Sequence, residues 1–86
     1  MKSVTLYTTR ICPFCVMAKR LLQQKGAPIE ELRVDEDAER REEMMRRSGR
    51  RTVPQIFVGE THVGGFDDLA ALERAGRLDA LLERGG

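Results

Sequence analysis

Val4-Thr5-Leu6-Tyr7, a short loop from Thr8 to Ile11, then Cys12-Pro13-Phe14-Cys15 opening an apolar-periodic run to about Lys25: this stretch decides the fold. Val4 and Leu6 alternate with Thr5 and Tyr7 at the two-residue period of a strand. Pro13 suits a first helical position, where no N–H donor is needed. Beyond it Cys15, Ala18 and Leu22 fall on one helical face, with Leu21 beside them. Gly26 and Pro28 stop the helix. A strand therefore feeds a helix, and two cysteines stand at the joint.

Outward from that joint, Ile29 to Val34 reads as a second strand of imperfect alternation, with Ile29 and Leu32 or Val34 as its apolar positions. Asp35-Glu36-Asp37 caps a second helix that runs to about Arg47 and ends at Ser48-Gly49. Its acids come early and its arginines late, as the helix dipole favours, and Glu42–Arg46 and Glu43–Arg47 are favourable pairs one turn apart. Its apolar face, Ala38, Met44 and Met45, is thin. Ile56-Phe57-Val58, the turn Gly59-Glu60 and Thr61-His62-Val63 form a hairpin ended by Gly64-Gly65. Asp67 or Asp68 then caps a helix carrying Leu69 and Leu72, and Gly76 interrupts it before a last helical stretch with Leu78, Leu81 and Leu82. A strand–helix–strand unit gives parallel strands and a hairpin antiparallel ones. The order β-α-β-α-β-β-α-α thus predicts an α/β fold: a mixed four-stranded sheet flanked by helices on both faces.

At 86 residues the chain has room for a single domain, spanning 1–86. With 41% hydrophobic and 34% charged residues it matches folded, soluble chains rather than disordered ones. The formal net charge of +1 gives no field to attract nucleic acid. Arg46, Arg47, Arg50 and Arg51 follow a run of acids and read as a solvated face, and His62 reads as a surface residue. No apolar run approaches the ~18 residues of a membrane helix. The N-terminus lacks the continuous apolar core of a signal peptide, so a cytoplasmic location is expected.

The two cysteines carry the chemistry. A bridge across so short a loop removes only roughly 2 kcal/mol of unfolded-chain entropy, and nothing else marks a secreted, disulfide-stapled chain. Thiolate is the reactive form, and a free cysteine titrates near ~8.5. Cys12 lies just before the first helical turn, where unpaired N–H groups and the positive dipole end favour a thiolate. Arg10 and Lys19 are near enough in sequence to add positive potential. Cys15 lies one turn further in and less exposed, so one sulfur attacks and the other resolves. Structural zinc takes four ligands, and beyond the pair the chain offers one histidine, His62, and no further cysteine, so no metal is expected. An iron–sulfur cluster likewise exceeds what one chain supplies.

Cys12-Pro13-Phe14-Cys15 resembles the C-P-Y-C site of the glutaredoxins. Thr52-Val53-Pro54 resembles their T-V-P segment, in which the proline is cis, and Gly64-Gly65-Phe66-Asp67-Asp68-Leu69 resembles their G-G-x-D-D-L segment. The motifs stand in the family's order, and the likeness covers essentially the whole chain. Within the family the chain is similar to the dithiol, C-P-x-C type and to the short bacterial class called glutaredoxin 3. The resemblance implies a thioredoxin-like fold and a glutathione-dependent thiol–disulfide oxidoreductase that reduces protein–glutathione mixed disulfides and protein disulfides. It implies glutathione as co-substrate with no tightly bound cofactor. The implied partners are glutathione and glutathionylated or disulfide-bonded proteins, with neither nucleic acid nor membrane, and the chain is expected to be a monomer.

By the same resemblance Cys12 is the nucleophile and Cys15 the resolving thiol. Thr52, Val53 and Pro54 would line the glutathione groove, the Val53 backbone pairing with the cysteinyl part of the tripeptide as in strand addition. Gly65, Phe66 and Asp67 would hold the γ-glutamyl end, with its carboxylate at a helix N-terminus and the glycines allowing close approach. Arg10, Pro13, Phe14 and Arg51 would be further substrate contacts. Departures from the family pattern are specific. Phe14 replaces a tyrosine, and Phe66 sits where close relatives have cysteine. Thr9 stands where many members carry a lysine, which leaves Arg10, Arg50 and Arg51 to meet the glycyl carboxylate. Other readings of the same residues are Asp67 as a mere helix cap, a dithiol donor served by a thioredoxin reductase, and a carrier of a [2Fe–2S] cluster bridged by two chains and two glutathiones. Carriers of that kind typically read C-G-F-S.

Overall fold

The computed structural model describes residues 1–84. Its elements are β1 (Val4–Thr8), α1 (Pro13–Gln24), β2 (Ile29–Arg33), α2 (Ala38–Ser48), β3 (Gln55–Val58), β4 (Thr61–Gly64), α3 (Phe66–Arg74) and α4 (Leu78–Arg84). One sheet has the strand order β2-β1-β3-β4. β1 runs parallel to β2, with Leu6 opposite Glu31, and antiparallel to β3, with Leu6 opposite Ile56. β3 and β4 form the expected hairpin, with an irregularity between Ile56 and Phe57. No helix among the described residues is long and apolar enough to cross a membrane.

Helices cover both faces of the sheet. On one face Val4, Leu6, Ile56 and Val58 pack against Ala18 and Leu22 of α1, Leu69 of α3, and Leu78 and Leu82 of α4. Lys25, just past α1, ties this layer at its rim: Nζ lies 2.9 Å from both Glu73 and Asp79. On the other face Tyr7, Val34, Met44 and Phe57 form a smaller cluster beneath α2. Tyr7, the polar half of the β1 alternation, is fully buried there. Its ring meets Phe57 edge-on at 5.9 Å. Its hydroxyl donates to the Glu43 carboxylate and accepts from Arg47 at 2.9 Å. The Arg47 guanidinium also lies 4.0 Å from the centre of the Phe57 ring. Glu43 is thus engaged by Tyr7 and by Arg40, at 2.9 Å, and neither i,i+4 pair expected on α2 forms among the described residues. For Glu43 and Arg47 the buried Tyr7 hydroxyl beneath α2 takes the place of their mutual pair.

Helix ends follow local chemistry. The Asp37 carboxylate caps α2, accepting the Glu39 N–H at 3.0 Å, and Gly49 closes it at φ 72°, a left-handed conformation that glycine adopts without penalty. α3 corrects the sequence reading. Its N-cap is Gly65, so neither Asp67 nor Asp68 occupies that position. Asp68 instead reaches back from the first turn to accept the Gly65 N–H at 3.0 Å.

Several carboxylates are held below their ordinary range by such partners. The two-pronged Arg33 guanidinium, and then the Arg10 N–H, hold Asp35 down to about 2. Glu43 is lowered chiefly by the Tyr7 hydroxyl, Glu31 chiefly by Lys19, and Asp68 chiefly by the Gly65 N–H. Each group binds its proton more weakly folded than unfolded, so each contributes stability above its unfolded pKa and loses it as pH falls through the folded value. Unfolding free energy from urea titrations should therefore decline continuously from about pH 5 to about pH 2. Asp35→Asn should flatten the most acidic part of that slope, and an unchanged slope would remove Asp35 from the account.

Candidate active site

The strand-to-helix joint places the two cysteines as their spacing predicts. Cys12 is the N-cap of α1, with extended backbone at φ −154°, and Pro13 follows at the first helical position. Cys12 Sγ accepts the Cys15 backbone N–H at 3.1 Å, so a donor that α1 leaves unpaired points at this sulfur. Cys12 and Cys15 are joined as a disulfide, with Cα atoms 5.2 Å apart. Cys15 is buried at 4% exposure and Cys12 is half-buried, so Cys12 is the more open of the two.

A cleft of about 230 Å³ has Phe14, which stands between the two cysteines in the chain, in its wall. It brings together Phe14, Thr52, Val53, Pro54, Gly65, Phe66 and Asp67, with Arg50 and Asp68 at its edge. The Val53–Pro54 peptide is cis, as the resemblance implied. Among the described residues Val53 N–H and C=O have no hydrogen-bond partner. Phe14 and Phe66 stack at 6.2 Å and wall the side nearest the thiols. Gly64, at φ 117°, has to be glycine: a Cβ there would overlap the Asp68 carboxylate. Gly65 has ordinary backbone dihedrals and room for a side chain.

The acids divide. Asp68 is held by the Gly65 N–H and by Arg50 at 3.2 Å. Asp67 is exposed, lines the cleft, and accepts no hydrogen bond among the described residues. Asp68 therefore takes the capping work, and the reading of Asp67 as a mere cap falls away. Of the candidate arginines only Arg50 lines the cleft. Arg51 does not, and Arg10 borders a separate hollow of about 120 Å³ with Cys12, Cys15, Lys19 and Glu31. Lys19 brings little free charge to the sulfurs, because its Nζ is 2.7 Å from Glu31, which also accepts from Thr8 at 2.7 Å.

Gln55, which the sequence reading passes over, is fully buried beneath the cleft. Its Nε2 donates to the Thr52 carbonyl at 3.0 Å and its Oε1 lies 2.8 Å from His62 Nε2. His62 is thus no free surface residue: it stacks on Phe57 at 4.8 Å, and burial pushes its pKa down. The pair braces the turn that presents Val53. The signal available was a polar residue at the start of an otherwise apolar strand, Gln55-Ile56-Phe57-Val58.

The family model for glutaredoxin matches residues 4–63. The chain belongs to the glutaredoxin family. It is 58% identical over 82 residues to a glutaredoxin of Pseudomonas aeruginosa, covering 95% of this chain and 98% of that one. It is 53% identical over 83 residues to glutaredoxin 3 of Escherichia coli, covering 96% and 100%. Among solved structures, a glutaredoxin from Brucella melitensis superposes with a TM-score of 0.87 at 52% identity, over 100% of this chain and 94% of the other. A buckwheat glutaredoxin in complex with glutathione superposes with a TM-score of 0.86 at 27% identity, over 94% and 76%. The fold is that of thioredoxin-like glutaredoxins, and the chain is a thiol–disulfide oxidoreductase with a redox-active Cys12/Cys15 pair.

Proposed function

We propose that this glutaredoxin uses glutathione to reduce protein–glutathione mixed disulfides and protein disulfides, with Cys12 as nucleophile and Cys15 as resolving thiol. The observation that carries the reading is the cleft walled by Phe14, where an unpaired Val53 backbone and an unpaired Asp67 carboxylate face the same space. Val53 N–H and C=O would pair with the cysteinyl residue of glutathione. Asp67 would meet the γ-glutamyl ammonium, and the N–H groups at the start of α3 from Phe66 onward its carboxylate, the Gly65 N–H being already taken by Asp68. Arg50, held at Asp68, would add positive charge at that same γ-glutamyl end, and Thr52, Pro54 and Phe14 would fill the remaining walls.

In the reduced enzyme the Cys15 N–H and the positive end of α1 stabilise a Cys12 thiolate. That thiolate attacks the glutathionyl sulfur of a mixed disulfide; the protein thiolate leaves and Cys12 becomes bonded to glutathione. The thiolate of a second glutathione attacks that glutathionyl sulfur, releasing oxidised glutathione and restoring Cys12. In protein disulfides the Cys12 thiolate bonds to one sulfur and expels the other. Cys15 then displaces the partner from Cys12 and closes the disulfide seen here. Two glutathiones in turn reduce that disulfide and leave as oxidised glutathione. Glutathione supplies the electrons in both branches and the cysteines relay them, so the scheme calls for no further cofactor.

Turnover of a small glutathione mixed disulfide, coupled to glutathione reductase, tests the reading. Full activity should require glutathione, and replacing that system with thioredoxin and its reductase should leave little. Equal or greater turnover with the thioredoxin system would assign the enzyme to the reductase-served donors instead.

A further inference from the structure

Ile11, Phe14, Val16 and Met17, at 85%, 56%, 53% and 45% exposure, are all but one of the large hydrophobic side chains exposed among the described residues. All four lie within one turn or so of Cys12, and among the described residues the other large apolar side chains, Met1 apart, are buried or half-buried. Phe14 is accounted for by the cleft and by its stacking on Phe66. Ile11, Val16 and Met17 line no part of that cleft. The charge around them has one sign: positions 8 to 25 contain no Asp or Glu. Lys19 and Lys25 are neutralised by acids from elsewhere, and the nearby Glu31 and Asp35 are held by Lys19 and Arg33. Arg10 and Arg20 are exposed, and neither side chain forms a hydrogen bond or ion pair among the described residues.

We infer that Ile11, Val16 and Met17, flanked by Arg10 and Arg20, dock the polypeptide around the disulfide cysteine of a protein substrate, and select segments that place a large apolar residue beside that cysteine and carboxylates further out. The inference rests on thiol–disulfide exchange at Cys12. A disulfide must approach Cys12 Sγ closely to be attacked, so the residues next to the substrate sulfur are brought onto whatever surrounds Cys12. Exposed apolar side chains gain by being covered, and the two unpaired guanidinium groups favour an acidic flank and speed its approach. In the exchange the Cys12 thiolate bonds to one partner sulfur and expels the other as thiolate. The Cys15 thiolate then displaces the bound sulfur, so the partner gains two electrons and two protons as the Cys12–Cys15 dithiol is oxidised.

Single-turnover reduction of synthetic disulfide-bridged peptides by the reduced enzyme, without glutathione, tests this. One peptide carries Leu beside the cysteine and Asp and Glu outside it; a second, of equal length, carries Ser and Lys at those places. The wild-type enzyme should reduce the first about tenfold faster or more, with an advantage that shrinks as salt rises. Ile11→Ser/Val16→Ser/Met17→Ser should lose most of that advantage and keep the wild-type rate on a small glutathione mixed disulfide, which also reports correct folding. Equal wild-type rates on the two peptides overturn the inference, as does an advantage that survives in the variant. An equal loss on the small disulfide also overturns it, by placing these residues in the reaction itself. Because the peptide assay contains no glutathione, failure of the proposed glutathione dependence would leave its outcome readable.

Discussion

A Cys12→Ser variant should show no detectable turnover of either a glutathione mixed disulfide or a protein disulfide, while Cys15→Ser should separate the two activities. Removing glutathione from a protein needs one enzyme sulfur, since free glutathione resolves the intermediate. Reducing a protein disulfide benefits from a second sulfur at high effective concentration, which frees the enzyme before the mixed disulfide stalls. The geometry suits that division. Cys12 is the half-exposed N-cap, and Cys15 is buried one turn along with its Cα 5.2 Å away, able to reach Cys12 and little else. Cys15→Ser should therefore keep most deglutathionylation, lose disulfide reduction by an order of magnitude or more, and accumulate a Cys12–glutathione adduct visible in the intact mass. Equal loss of both activities would mean that Cys15 does more than resolve.

Asp67→Ala should raise KM for glutathionylated substrate by about tenfold, the equivalent of one lost charge-assisted contact, and change kcat little. The removed interaction holds the substrate equally in the ground and transition states, which is the signature of a KM effect. Stability should barely move, because the Gly65 N–H is satisfied by Asp68 and not by Asp67. Asp68→Ala is the informative contrast: it removes the reach-back to Gly65 and the Arg50 pair, and should cost about 1 kcal/mol of stability. An unchanged KM in Asp67→Ala would take the γ-glutamyl ammonium away from this residue.

Much of the architecture was legible because it is written at short range. The alternation of Val4 and Leu6, Pro13 at a helix start, Asp37 at another, and Gly26, Gly49 and Gly76 at helix stops each act within a few residues. The element order followed from them within a residue or two at each end. The hairpin, the mixed sheet and the placement of both cysteines at the head of α1 followed in turn, because connection rules leave few topologies open. The three segments of the cleft were likewise recognisable as motifs, and the fold brings them to one place.

What the amino-acid sequence determined by itself is therefore the local grammar and the site it assembles: a strand–helix joint carrying Cys12 and Cys15, a T-V-P turn and a G-G-x-D-D start. Tertiary structure alone decided which charges remain available there. Glu31, twelve positions along, claims Lys19, and Arg50 claims Asp68 across eighteen, leaving Asp67 rather than Asp68 free to face the cleft. Tyr7, on the sheet face beneath α2, takes Glu43 and Arg47, which leaves unformed the Glu43–Arg47 pair that spacing favoured, and Gln55 turns inward to brace the cleft floor with His62. The reason is physical. Backbone conformation responds to neighbours within one helical turn, but a charged or polar side chain goes to the partner that best satisfies it in space, and that partner is fixed only once the sheet and its helices have packed.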